Sequence, residues 1–568
     1  MYIDIVPNRN SPPAILLRES IRQGKKIVKQ TIANLSSLSI EQAQAIRRIL
    51  KGEKLVQPEA RFDVLNSRAH GHVEAVLLTI RRLGLDKLIA SRRCKERDLV
   101  IAMIVSRILG PESKLALSRS WENTTLGESL GVVDDADEDA LYAAMDWLYE
   151  RQERIEKRLA ERHLQAGCRV LYDLSSSYFE GEQCPLAARG YSRDQKKGKL
   201  QVNYGLLTDE RGCPIAISVF PGNTSDPKTL LPQVERLQGA FNLKSVVLVG
   251  DRGMISQKQV DELKGHPGVG WITALKTGAI RKLMDAEAIQ LTLFDKRNLF
   301  EFTHPDFPGE KLVACRNPDL AYRRKHKREA LLKATSEALE KIQGMMARGT
   351  LKEADKIGVR VGRVINQYKM AKHFKLEIAE SQFHFKIDEE KVNAEAVLDG
   401  IYVIRTSLTD ALSAEDAVRH YKSLSQVERA FRSIKTMDLE VRPIHHHQER
   451  RVRTHLFLCM LAYYVKWHMM EAWRPLLFAD EDQQAKRERD PVAAAERSAE
   501  AKEKAQSKKR SDGSPVHSFQ SLLRSLATIV RNTCQSRDAE AGTPSFTIDT
   551  QTTLNQRKAF QLLKAIRM

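Results

Sequence analysis

Residues 245–249, S-V-V-L-V, constrain the fold more than any other stretch. The run carries no charge, is rich in β-branched side chains and is bounded by Gly250. It suits a strand buried on both faces, which needs helices packed on either side of a sheet. The neighbouring segments agree. Residues 169–174 read as a short strand ending in Asp173. Residues 201–207 and 214–220 form a hairpin around the turn 209–212. Helical patterns at 229–237 and 256–264 then alternate with strands at 245–249 and 269–275. This order predicts a mixed α/β sheet with helices on its faces.

The rest of the chain divides around that sheet. Residues 1–56 hold three short strands and a basic cluster, Arg22, Lys25, Lys26 and Lys29. Residues 57–166 carry apolar side chains at helical spacing and read as a helical domain. The sheet occupies residues 167–275, and an insertion of 276–395 interrupts it. The insertion has a long basic helix over 322–346, a second helix over 359–373 and a hairpin at 374–387. The sheet resumes over 396–476 with a strand at 400–406 and a helix over 421–435. Residues 480–514 are so charged and so poor in large apolar side chains that composition predicts a disordered linker. Short helices at 518–530 and 557–566 complete a C-terminal region of 477–568.

Composition limits the partners. The formal charge is +19, from 92 basic and 73 acidic residues, which favours a polyanion such as nucleic acid. The seven cysteines form no C-x-x-C pair, which argues against a zinc ribbon or disulfide framework and suits a reducing compartment. The longest apolar run, 456–465, is too short to span a bilayer, and the N-terminus has no signal-peptide core. A cytoplasmic protein is expected.

The chemistry lies in three acids. Asp173 and Asp251 each follow an apolar strand, where functional groups of α/β sheets gather. In the helix 421–435, Tyr421, Glu428 and Lys435 recur every seven residues and fall near one line, with Arg432 beside them. Two strand-end aspartates and a helical glutamate could hold a pair of Mg²⁺ or Mn²⁺ ions about 3.5–4 Å apart for phosphoryl transfer. Singly, each acid is more readily a turn cap or a solvated group. Other groups weigh less. His445–His447 are adjacent and suit a DNA-facing turn better than a metal site. Glu180 should fall beyond its strand, and Asn223 and Thr224 sit in a polar turn. The G-x-G at Gly268 and Gly270 lacks the rest of a dinucleotide fingerprint. Arg323, Arg324, Lys325, Lys327 and Arg328 suit a DNA backbone or a solvated helix face.

The ordered set L-Y-D-L-S-S-S-Y-F-E (171–180), F-P-G-N-T-S-D (220–226), L-V-G-D-R-G-M (248–254), D-G-I-Y-V-I-R-T (399–406) and the helix 421–435 resembles the DDE transposases of bacterial insertion sequences. The branch is the one with a Y-x2-R-x3-E-x6-K signature. The resemblance implies a ribonuclease H-like catalytic domain with a β-containing insertion, preceded by the small sheet and the helical domain. It implies that Asp173, Asp251 and Glu428 bind two Mg²⁺ or Mn²⁺ ions and catalyse strand cleavage and transfer at the element's ends. Tyr421 and Lys435 match the signature residues that contact DNA; Arg252 follows the second acid and either orients it or meets phosphate. The signature Arg falls at Leu424, leaving Arg429 and Arg432 as replacements, with Arg432 nearer the Tyr–Glu–Lys line. The implied partners are double-stranded DNA with terminal inverted repeats, target DNA and a second copy of the chain, without a membrane, on the bacterial nucleoid. Two alternatives stay open: a structure-selective nuclease without strand transfer, and a catalytically decayed DNA-binding protein.

Overall fold

The computed structural model describes residues 1–9, 11–53, 62–133, 136–181, 183–482, 484, 488–493, 496–536 and 544–567. It divides into two compact units. One comprises Met1–Arg68 with Val530–Thr550, and the other Ala69–Ile529 with Gln551–Met568. The expected boundary at residues 56–57 lies outside the described residues.

The smaller unit holds two three-stranded sheets. Strands β1 (Tyr2–Val6), β2 (Ala14–Gln23) and β3 (Lys26–Asn34) form an antiparallel meander. The helix Ile40–Leu50, capped by Ser39 and Gln42, packs on it through Ile3, Ile15 and Ala43. Strand β4 (Phe62–Ala69) pairs with the strand Val530–Ser536, which in turn pairs with Phe546–Asp549. These strands correct two expectations. Residues 62–69 belong to a sheet rather than to the helical domain, and the C-terminal region contributes strands as well as helices. Most side chains of β4 are exposed, so no apolar alternation marks it in sequence.

The larger unit is built on an eight-stranded sheet of order β10-β11-β14-β9-β8-β5-β6-β7. Its strands are β5 (Cys168–Tyr178), β6 (Gln201–Asp209), β7 (Pro214–Pro221), β8 (Val246–Val249), β9 (Val269–Ala274), β10 (Leu299–Phe302), β11 (Lys311–Arg316) and β14 (Ile401–Thr406). β5, β6 and β7 are antiparallel neighbours; β5–β8 and β8–β9 are parallel. Every residue of β8 is buried, as a strand covered on both faces requires. The helices Gly71–Leu83, Lys95–Leu109, Glu138–Tyr149 and Gln152–His163 share one contiguous core with this sheet and with the helix Glu449–Ala472. Among the described residues, no helix is long and apolar enough to cross a membrane.

The insertion is less separate than its sequence implies. β10 and β11 extend the large sheet, with β11 antiparallel to β14. The helices Pro318–Ala347 and Ala354–Tyr368 and the hairpin β12 (Phe374–Ala379) with β13 (Gln382–Ile387) form their own apolar cluster around Leu339, Ile357 and Phe383. Arg328 does not track a DNA backbone: it is buried in a bidentate pair with Asp399, at 3.0 and 2.5 Å.

The described residues of 480–514 do not form the disordered linker that composition predicts. Asp480 accepts hydrogen bonds from the Ser498 amide and hydroxyl, and Ser498 caps the helix Ala499–Ser507. Val492 is buried, and its carbonyl accepts from Asn317 Nδ2 at 2.7 Å. Polar side chains bonded to backbone groups anchor a segment whose composition offers few apolar anchors.

Candidate active site

The register of two parallel strands sets the first two acids. Leu171 of β5 is paired with Val249 of β8, and Asp173 and Asp251 each lie two residues further on. Equal offsets put the two carboxylates side by side where β8 ends. β5 itself continues to Tyr178, so Asp173 is mid-strand rather than at the strand end expected from sequence. Asp251 begins a turn and accepts from the amides of Gly253 and Met254, at 3.0 and 2.7 Å.

The third acid arrives on the helix Leu424–Arg432. Leu424, Val427, Ala430 and Phe431 are its buried residues, and the Phe431 ring meets Tyr204 of β6 edge-on at 5.8 Å. Glu428 lies off that face, exposed, and lines the cleft with Asp173 and Asp251. The expected single helix over 421–435 is interrupted twice. A preceding helix, Ala414–Lys422, ends at Ser423, and a π-helical turn spans Ser433–Met437. Buried Lys466 holds that turn by donating to Ser433 Oγ at 2.9 Å and pairing with Asp438. Wide turns of this kind re-aim a helix, here delivering Lys435 to the same cleft.

The cleft has a volume of about 400 Å³, and its lining includes Asp173, Asp251, Glu428, Arg432 and Lys435. Burial, followed by the charges of Asp251 and Glu428, pushes the Asp173 carboxyl up to about 7. Tyr421 stands within the field of Asp251, Arg252, Glu428 and Asp173; burial and these acids push its hydroxyl up to about 12. The sequence-predicted residues are therefore neighbours.

Residues 167–465 match the family model described as transposase DDE domain, and residues 3–61 match that of the IS1634 family transposase N-terminal domain. The chain belongs to the DDE transposases of insertion sequences. No curated protein matches it. Among solved structures it is similar to the piggyBac transposase synaptic complex with hairpin DNA. The match has 9% identity over 80% of this chain and 78% of that one and a TM-score of 0.34, too distant to bear on any residue here.

The transposase's cleft also contains charged groups that sequence reading misses. Arg193 donates from a single nitrogen, Nη2, to both carboxylate oxygens of Asp226, at 2.6 and 2.7 Å. Asp194, its side chain almost wholly buried, accepts from the Tyr178 amide at 3.1 Å and pairs with Lys435 at 2.7 Å and with Arg442. Lys435 also donates to Ser175 Oγ at 3.2 Å. The signal for Asp226 was present, since it closes the F-P-G-N-T-S-D segment; nothing local marks Arg193, Asp194 or Arg442. Leu424 is buried on the apolar face, while Arg432 is exposed and lines the cleft. In the turn His445–His447, His445 and His447 are exposed, while half-buried His446 packs against Tyr142 and His455 and burial pushes its imidazole down to about 3. Glu180 lies past β5 and pairs with Lys199.

Proposed function

We propose that this transposase cleaves and joins DNA at the ends of its element by metal-dependent phosphoryl transfer, with Asp173, Asp251 and Glu428 as the metal ligands. The observation that carries the reading is the register that sets Asp173 beside Asp251 beneath Glu428. The donor set fits the ions: three carboxylates suit Mg²⁺ or Mn²⁺ rather than a softer metal. Burial first, and then the neighbouring Asp251 and Glu428 charges, raise the Asp173 carboxyl, so a cation bound there would favour its ionised form. Divalent ions held there would supply a nucleophilic water or hydroxyl and stabilise the leaving oxygen.

The chain's own residues would position the DNA. Arg432 offers a phosphate contact in place of the signature Arg, and Tyr421, Arg252 and Lys435 flank the acids. Lys435 would share its charge between Asp194 and the phosphate. A meander β5-β6-β7 followed by the parallel strands β8 and β9 supports a ribonuclease H-like core. The basic small sheet suits recognition of terminal inverted repeats, and a dimer would pair two ends with target DNA on the bacterial nucleoid. Incubation with Mg²⁺, a plasmid bearing the element's ends and a second target plasmid tests the reading. Covalently joined donor–target product is expected; cleavage without joining would instead support the nuclease.

A further inference from the structure

Away from the acidic cleft, three metal-binding side chains from separate parts of the larger unit meet. His163 ends the helix Gln152–His163, Cys213 lies in the turn from β6 to β7, and His468 belongs to the helix Glu449–Ala472. One ring nitrogen of each histidine and the Cys213 sulfur all lie within 4.8 Å of one another. Cys213 Sγ is 3.8 Å from His468 Nε2. On a tetrahedral zinc ion, with Zn–S about 2.3 Å and Zn–N about 2.0 Å, a sulfur and a nitrogen ligand stand about 3.6 Å apart. The spacing therefore needs only a small closure to become a coordination edge.

The surroundings suit metal ligands. The Tyr464 hydroxyl, 3.0 Å from His163 Nε2, orients that ring, and the Tyr464 and Trp467 rings meet His468 edge-on. Cys213 is completely buried, and its amide donates to Asp209 Oδ1 at 2.9 Å. One thiol and two imidazoles are soft and borderline donors, unlike the hard oxygens of the cleft.

We propose that His163, Cys213 and His468 form a second metal site, which binds one zinc ion with water as the fourth ligand. Binding would release the Cys213 thiol proton to solvent. The ion would tie the end of a helix in the helical layer, the β6–β7 turn and the long helix that carries Lys466 into one rigid scaffold. No sequence pattern announces it, because the three ligands come from elements far apart along the chain.

Cobalt(II) titration of the chelator-treated, full-length protein in excess Mg²⁺ tests the site, since Mg²⁺ competes for the carboxylate cleft but not for a thiolate. The wild type should bind about one equivalent with an intense thiolate-to-cobalt charge-transfer band and tetrahedral d–d bands, bleached by Zn²⁺. Cys213→Ser should lose the charge-transfer band, while Asp251→Asn should keep it. Zn²⁺ should raise the Tm of the wild type and leave that of His468→Gln unchanged. A wild-type protein without the band would overturn the proposal whatever the variants do, and so would a band that survives Cys213→Ser.

Discussion

Arg432 is the residue proposed to make the phosphate contact. It is exposed on the cleft side of the helix Leu424–Arg432, while Leu424, at the position of the family's arginine, is buried. Replacing Arg432 with alanine should leave the fold intact, weaken binding to element-end DNA and lower the salt slope of that binding by about 1. Fluorescence anisotropy over a salt series measures this; an unchanged slope together with unchanged cleavage would exclude the contact. At this scale the sequence is most legible where chemistry meets periodicity. Asp173, Asp251 and Glu428 stand out because each follows an apolar strand or is offset from an apolar helix face. Arg193, Asp194 and Arg442 stayed hidden because their roles arise from pairing across the fold: Asp194 acquires Lys435 and Arg442 as partners only when distant segments meet.

Among the elements, β5 carries the heaviest constraint, since it holds Asp173 and pairs with both β6 and β8. Leu174 of β5 faces Gly205 of β6, and a Cβ at Gly205 would overlap the Tyr172 hydroxyl and lie 2.6 Å from its ring carbons. Tyr172 is fully buried, so the ring cannot swing into solvent. Gly205→Ala should therefore destabilise the larger unit by about 1–3 kcal/mol and displace the backbone next to Asp173. A lowered urea midpoint with reduced cleavage is expected; an unchanged midpoint would contradict the packing described. The central strands were legible because β8 is apolar throughout and β6 and β7 flank a clear turn. The continuation of β5 to Tyr178 was not, because residues 175–177 are three serines whose burial comes from neighbouring elements rather than from their own polarity. The π-helical turn was equally silent, since it depends on Lys466 from another helix.

For the molecule as a whole, buried histidines set the response to acid. Burial pushes His72 and His420 down to about 4 and His446 to about 3, and holds His455 well below its ordinary value. A depressed histidine binds fewer protons folded than unfolded. Its stabilising effect is complete above the unfolded pKa of about 6.5 and is lost as pH falls from there toward the folded values. Thermal melts should show Tm falling steadily between about pH 6.5 and about pH 4, and His72→Gln should flatten part of that slope. A Tm independent of pH across that window would contradict it. Charge and composition foretold a nucleic-acid partner at this scale, but they misjudged the described residues of 480–514, where Asp480 bonds to Ser498 and Asn317 bonds to the Val492 carbonyl. The proposed function requires the three acids to act as one metal-binding set. Its most direct test is cleavage of a supercoiled plasmid carrying the element's ends, with and without Mg²⁺, by the wild type and by Asp251→Ala. End-specific cleavage by the wild type is expected only when the metal is present, and none by the variant even though it still binds the DNA. Undiminished cleavage by Asp251→Ala, or by the wild type in a chelator, would contradict it.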